Sequence, residues 1–245
     1  MTAVVLAGGN GQRFGAELAK QFLDLAGRPM LIHALTALER TPAVTATVVV
    51  LPAQRPPFVD LSLKGLLKVA SVTNGGPTRQ ASLGEGLICL PDETEIVLVH
   101  DAARPAVQPS LVARVVGALA DGHGPGLPCD GAVPAIPVDD ALKEVTSDGL
   151  VVGRRSRAGL WRAQTPQGFR RECIEDALAR ADAAGILCED CAEIAVRAGY
   201  RVCVVPGDPV NVKATRREDL RLLEALLADA AGLAGPARSA PPTGG

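Results

Sequence analysis

Apolar residues along this chain fall into two alternating patterns. Short continuous runs rich in Val, Ile and Leu occur at Ala3 to Ala7, Thr45 to Leu51, Lys68 to Thr73, Glu95 to His100, around Gly126 to Pro134, and at Arg201 to Val205. Runs of that length and composition mark strands buried on both faces. Between them apolar side chains recur at helical spacing: Met30, Leu31, Ala34, Leu35 and Leu38; Leu111, Val112, Val115, Val116 and Leu119; Cys173, Ile174, Ala177, Leu178 and Ala181. Each set lies on one helix face, and that face must pack on something. Strands and helices in alternation predict an α/β fold: a doubly wound, mostly parallel, Rossmann-like sheet.

Two segments depart from the alternation. Residues Ile136 to Arg157 read as a protruding β-hairpin arm, with Val138 and Leu142 before a turn at Ser147-Asp148-Gly149 and Leu150-Val151-Val152 after it, followed by the basic run Arg154-Arg155-Ser156-Arg157. Such an arm buries little by itself, so it is expected to pack on a second subunit in a homodimer. From Gly232 to Gly245 the chain turns to Gly, Ala, Pro, Ser and Thr without periodicity, which predicts a disordered tail on one domain spanning 1–231.

Composition narrows the function classes. Across 245 residues, 25 Lys and Arg stand against 27 Asp and Glu, a formal charge of -2, so no broad basic surface is available for nucleic acid or an anionic membrane. No apolar run approaches the ~18 to 20 residues of a membrane-spanning helix. Met1-Thr2-Ala3 leads straight into a strand, without the look of a signal peptide, and the cysteines (Cys89, Cys129, Cys173, Cys188, Cys191, Cys203) are scattered, so a reducing, cytoplasmic setting is expected. Cys188-x-x-Cys191 lacks the further ligands that a zinc site of about four would need. Glu189 to Arg197 reads instead as a helix with Ile194, Ala195 and Ala198 inward.

Candidate chemistry begins in the first loop. Leu6-Ala7-Gly8-Gly9-Asn10-Gly11-Gln12-Arg13-Phe14-Gly15 follows a strand, with Lys20-Gln21 just beyond. Glycines let backbone N–H groups approach an anion closely, and Arg13 and Lys20 add positive charge. The spacing matches neither the dinucleotide G-x-G-x-x-G nor the G-x-x-x-x-G-K-[ST] loop. Asp101 follows the apolar run Ile96-Val97-Leu98-Val99, a position suited to supporting Mg²⁺ and a nucleotide. A second Gly-containing run, Asn74-Gly75-Gly76-Pro77-Thr78-Arg79-Gln80-Ala81-Ser82, also leaves a strand and enters a helix.

The first loop resembles that of sugar-nucleotide pyrophosphorylases and cytidylyltransferases. With His100-Asp101-Ala102-Ala103-Arg104-Pro105, Gly159-Leu160-Trp161, Gln164-Thr165-Pro166-Gln167-Gly168-Phe169 and Asn211-Val212-Lys213-Ala214-Thr215, the chain resembles the 2-C-methyl-D-erythritol 4-phosphate cytidylyltransferase family over roughly Ala3 to Leu227. The resemblance implies transfer of CMP from CTP to that polyol phosphate, with a divalent cation such as Mg²⁺, in isoprenoid precursor synthesis by the non-mevalonate pathway. It implies catalytic roles for Arg13, Lys20 and Lys213 at the phosphates, and nucleotide contacts from Ala7, Gly8, Gly9, Gly11, Asp101 and Ala102. Gly76 and Ser82 would read the cytosine, and Asp101 would hold the metal. Arg104, Arg157, Thr165 and Glu189 would face the acceptor, Arg157 reaching across a dimer.

The chain departs from the family pattern in three places. Pro77 stands where an acidic residue is common, Ala141 where a threonine is usual, and Cys188-Glu189-Asp190-Cys191 replaces a T-D-[DE] signature. Transfer to another polyol phosphate such as ribitol 5-phosphate, and a non-catalytic nucleotide-binding regulatory role, are the alternatives.

Overall fold

The structure, a computed structural model, describes residues 1–8, 18–121 and 128–230. The chain opens with β1 (Thr2–Leu6), a 3-10 turn at Lys20–Phe22, the short strands β2 (Asp24–Leu25) and β3 (Arg28–Pro29), then α1 (Met30–Glu39), β4 (Ala46–Leu51), α2 (Pro57–Leu63), β5 (Val69–Asn74), α3 (Arg79–Ile88) and β6 (Ile96–Asp101). It continues through α4 (Pro109–Asp121), β7 (Gly131–Pro137), β8 (Leu142–Val145), β9 (Val151–Arg155), β10 (Trp161–Ala163), β11 (Gln167–Arg170), α5 (Arg171–Ala183), α6 (Cys191–Arg197), β12 (Val202–Pro206) and α7 (Asp219–Ala230).

Eight of these strands form one sheet. β6, β1, β4 and β5 run parallel in that order, with Val4 paired to Val48 on one side and to Val99 on the other. β11 is antiparallel to both β6 and β7, β10 is antiparallel to the end of β7, and β12 pairs with β7 in parallel. The six strands legible in the apolar runs are all present, and the sheet is mostly parallel as expected. β10 and β11 are additions, because Trp-Arg-Ala and Gln-Gly-Phe-Arg carry no β-branched run to announce them.

Alternate residues of β1 feed two cores on opposite faces, which is what makes the fold doubly wound. Ala3 and Val5 pack with Leu31 and Leu35 of α1 and Leu111, Val112 and Val115 of α4. Val4 and Leu6 pack with Leu83 and Leu87 of α3, Ile174 and Leu178 of α5, and Ile194 of α6. Each fully buried Leu or Val contributes about 1.5–3 kcal/mol relative to an exposed one, so the two faces together hold the sheet ends in place. α3 lies so close to the sheet that a Cβ on Gly86 would stand 2.5 Å from Val4 Cγ1. That helix carries residues of the cleft described below.

Outside the main sheet, β8 and β9 form their own two-stranded sheet, the predicted hairpin. Gly149 takes a φ of 90° at its turn, a conformation that favours glycine. Leu150, Val151 and Val152 on this hairpin are all exposed. The helix predicted from Glu189 begins two residues later, at Cys191, because the Asp190 side chain accepts the Glu193 N–H at 2.9 Å and caps it there. Among the described residues all six cysteines are free, and no helix is long and apolar enough to cross a membrane. The expected tail from Gly232, and the Gly126 end of the fifth predicted strand, lie outside the described residues.

Candidate active site

A cleft of about 490 Å³ opens at the carboxyl ends of β1, β4, β5 and β6, where open α/β sheets bind ligands. One wall is built for close approach. Ser82, on the first turn of α3, is buried, and its hydroxyl donates to the Thr78 carbonyl at 2.8 Å. Thr78 in turn caps the helix by accepting the Ala81 N–H at 3.0 Å. A Cβ on Gly75 would come within 2.8 Å of Ser82 Oγ, one on Gly76 within 2.6 Å of Ala81 Cβ, and one on Gly8 within 3.3 Å of Ser82 Oγ. The three glycines therefore let the two loops sit against this turn. With its proton committed to Thr78, Ser82 Oγ keeps lone pairs that can accept from an amino group.

The opposite side is ionic. Asp101 ends β6, and its carboxylate lies between Arg79 Nη2 at 3.2 Å and Lys213 Nζ at 2.7 Å. Burial alone would raise this carboxyl's pKa, but Arg79 and Lys213 outweigh it and hold it well below the usual carboxylate range. Lys20, on the 3-10 turn, reaches the Ala214 carbonyl at 2.9 Å. Ala214 is itself tied by its N–H to Ala103 at 2.8 Å. Lys20 and the Lys213 loop are thus fixed beside the end of β6.

Behind Asp101 runs a buried hydrogen-bond chain. Thr165 Oγ1 accepts the Asp101 N–H at 3.1 Å and meets His100 Nδ1 at 3.0 Å, while His100 Nε2 meets the Arg104 carbonyl at 3.1 Å. A carbonyl can only accept, so Nε2 carries the proton and Nδ1 accepts from Thr165. Burial pushes the His100 pKa down to about 4, which keeps the ring neutral near pH 7.

Arg104 is also buried. It donates to the Asn211 carbonyl at 2.6 Å and the Ala163 carbonyl at 3.2 Å, while its Nε and Asn211 Oδ1 have no partner among the described residues. Asn211 Nδ2 donates to the Thr165 carbonyl at 2.8 Å. This knot joins the ends of β6 and β10 to the loop that carries Lys213.

Of the residues singled out in the sequence, Ala7, Gly8, Lys20, Gly76, Ser82, Asp101, Ala102 and Lys213 meet at this one cleft. Thr165 and Arg104 stand behind it, with the Thr165 hydroxyl and both Nη groups of Arg104 turned to protein partners. Arg157, just past β9, is exposed and donates to the Asp139 carbonyl within the arm, and Glu189 is exposed at the start of the α6 cap. Gly9, Gly11 and Arg13 lie outside the described residues. Arg79 is a cleft residue that sequence reasoning passed over, although it sits in the same run as Gly76 and Ser82.

Asp101 is the one acidic side chain among the described residues lining the cleft, and no group of three or more His, Cys, Asp or Glu among the described residues is placed to hold a metal ion. That donor set fits Mg²⁺, which is commonly held by one or two carboxylates together with substrate phosphates, rather than a metal caged by protein alone.

Gathered cations with one carboxylate and a glycine-walled pocket, on a doubly wound sheet, define a protein of the nucleotidyltransferase class. The family model described as IspD, 2-C-methyl-D-erythritol 4-phosphate cytidylyltransferase, matches residues 1–229, and the chain belongs to that family. It is 40% identical over 229 residues to the 2-C-methyl-D-erythritol 4-phosphate cytidylyltransferase of Geobacillus kaustophilus, covering 92% of this chain and 96% of that protein. It is 42% identical over 235 residues to the enzyme of the same name from Cereibacter sphaeroides, covering 94% and 98%. The crystal structure of the Thermus thermophilus cytidylyltransferase superposes with a TM-score of 0.74 at 33% identity, over 91% of this chain and 97% of that one.

Proposed function

We propose that this chain joins CTP to 2-C-methyl-D-erythritol 4-phosphate. A phosphate oxygen of the acceptor attacks the α-phosphorus of CTP, the bond from that phosphorus to the bridging oxygen breaks, and pyrophosphate leaves. The product is 4-diphosphocytidyl-2-C-methyl-D-erythritol. A phosphate monoester is already nucleophilic, so the site needs alignment and charge neutralisation rather than a general base. The observation that carries this reading is the meeting of Lys20 and Lys213 beside Asp101 in a glycine-walled cleft.

In this reading Ala7, Gly8 and the loop after them, with Gly9, Gly11 and Arg13, hold the β- and γ-phosphates. Gly76 and Ser82 face the cytosine, whose N4 amino group can donate to Ser82 Oγ. Lys20 and Lys213 offset the charge that builds on the α-phosphate oxygens. Asp101, with Ala102 beside it, would hold a divalent cation together with the triphosphate, and that cation would supply further neutralisation at the phosphate oxygens. Thr165 and Arg104 shape the acceptor side, and Glu189 lies at its edge. Free cysteines suit a cytoplasmic enzyme, and residues 1–231 act as one nucleotidyltransferase domain. The exposed apolar hairpin at β8 and β9 packs on a second copy, which lets Arg157 act across a homodimer.

Incubation with CTP, Mg²⁺ and each candidate acceptor, with pyrophosphate and the cytidylylated product both measured, tests the assignment. Product is expected with 2-C-methyl-D-erythritol 4-phosphate. Turnover with ribitol 5-phosphate alone, favoured by the departures at Ala141 and Glu189, would overturn the acceptor, and no turnover with any acceptor would overturn the activity.

A further inference from the structure

Lys213 is drawn by two anions. In this structure its amine lies 2.7 Å from Asp101 Oδ2, whereas the reading above places it on the α-phosphate of CTP. Movement of the amine towards the phosphate loosens its hold on a carboxylate that is only 12% exposed. Removing the sole partner of a buried charge is strongly unfavourable. Asp101, however, has a second partner within the chain, in place before any divalent cation binds. Arg79 Nη2 pairs with the other oxygen, Oδ1, at 3.2 Å.

The two cations are held differently. Arg79 is anchored at two points, since its Nη1 also donates to Cys191 Sγ at 3.4 Å, and Cys191 is fully buried at the first turn of α6. Its side chain is 28% exposed, against 41% for Lys213. A planar guanidinium bridging two fixed partners keeps its place, while an ammonium on a flexible four-carbon stem is free to swing.

We propose that Arg79 is a positioning residue for Lys213: by remaining on Asp101 Oδ1, braced by Cys191, it keeps the carboxylate paired and so releases Lys213 to the nucleotide. The inference rests on the role given to Lys213 above. It assigns Arg79 an action through Asp101 rather than on substrate, and it gives Cys191 a function that its C-x-x-C spacing hid.

The test is the acylation rate of Lys213 by acetic anhydride in the ligand-free, full-length protein at pH 8, read by peptide mass spectrometry. Arg79→Gln removes one of the two ion pairs described on Asp101 and leaves that of Lys213, so acylation is expected to slow by at least about threefold. Arg79→Lys keeps the charge and is expected to acylate close to the wild-type rate. In turnover, Arg79→Gln is expected to lower kcat by about tenfold with a smaller change in KM for CTP. Unchanged or faster acylation in Arg79→Gln overturns the proposal. So does a loss confined to KM for CTP, which would make Arg79 a nucleotide contact. Should Arg79→Gln fail to fold, Cys191→Ala removes the brace alone and is expected to slow acylation in the same direction, with Cys191→Ser restoring it. Wild-type acylation in Cys191→Ala then overturns the proposal. The acylation assay uses no substrate, so a wild-type protein inactive on 2-C-methyl-D-erythritol 4-phosphate would defeat the proposed function without deciding this experiment.

Discussion

Thr165 and Asp101, 64 positions apart, share a hydrogen bond in which the hydroxyl accepts the Asp101 N–H at 3.1 Å. The same hydroxyl donates to His100 Nδ1, so one side chain on the β10–β11 connection fixes the main chain at the end of β6 from behind. The Asp101 carboxylate is left facing the cleft.

Thr165→Val keeps the shape and removes the hydroxyl. The Asp101 N–H and His100 Nδ1 then lose their partner, and the variant is expected to be less stable by about 2 kcal/mol. A urea unfolding curve superimposable on that of the wild type would show that this bond is not made.

Lys20→Ala and Lys213→Ala each remove a cation assigned to the reacting phosphate. Each is expected to reduce kcat by about 10²- to 10³-fold, the usual effect of deleting one stabilising donor at a developing anion. Pyrophosphate release continuing at the wild-type rate in both variants would refute the assignment.

His100 sets a pH dependence of stability. Its folded pKa of about 4 lies below the ordinary histidine value, which is about 6.5 in an unfolded chain. As the pH falls, the unfolded state takes up this proton first. Stability is therefore expected to drop by about 1.4 kcal/mol per unit between about pH 6.5 and 4. Asp101, whose folded pKa is depressed, adds stability at higher pH that is lost only below its unfolded value of about 3.9. Urea midpoints measured without nucleotide or divalent cation, for wild type and His100→Asn, give the test: the difference in slope between them should disappear above about pH 7.

Gly86→Ala would ordinarily strengthen a helix by about 1 kcal/mol. Here the new methyl would stand 2.5 Å from Val4 Cγ1 and 3.0 Å from Val50 Cγ2, so α3 must shift away from the sheet. A net loss of about 1–3 kcal/mol is expected. Because Ser82 rides on the same helix, CTP binding measured by titration calorimetry should weaken as well.

The β8–β9 hairpin predicts a homodimer by light scattering, and Val151→Asp, on an exposed apolar position of the arm, is expected to give a monomer. A wild-type protein that is monomeric at micromolar concentration would remove the role of Arg157 across the interface.

Much of the sheet was legible because β1, β4 and β6 are covered on both faces, and burial of that kind leaves uninterrupted Val and Leu. β10 and β11 left no such trace. Trp161 is half exposed, and Gly168 admits no side chain, since a Cβ there would meet Val115 Cγ1 at 2.6 Å. In the cleft, Gly76, Ser82, Asp101 and Lys213 stood out through the loops that carry them. Arg79 did not, because an arginine at the start of a helix is commonly solvated, and only the fold sets it between Asp101 and Cys191. Thr165 was found for its place in a motif, yet its hydroxyl is turned inward to His100, a contact between strands that no local spacing reveals.

The amine of Lys20 and the carbonyl of Ala214 meet across 194 positions. A ribosome that stalled before residue 206 would already have supplied β1, β4, β5, β6 and the wall around Ser82, but neither Lys213 nor the Ala214 carbonyl that accepts from Lys20. Competence for chemistry therefore comes late in translation, and shorter fragments of this chain would carry the nucleotide walls without the two lysines in register.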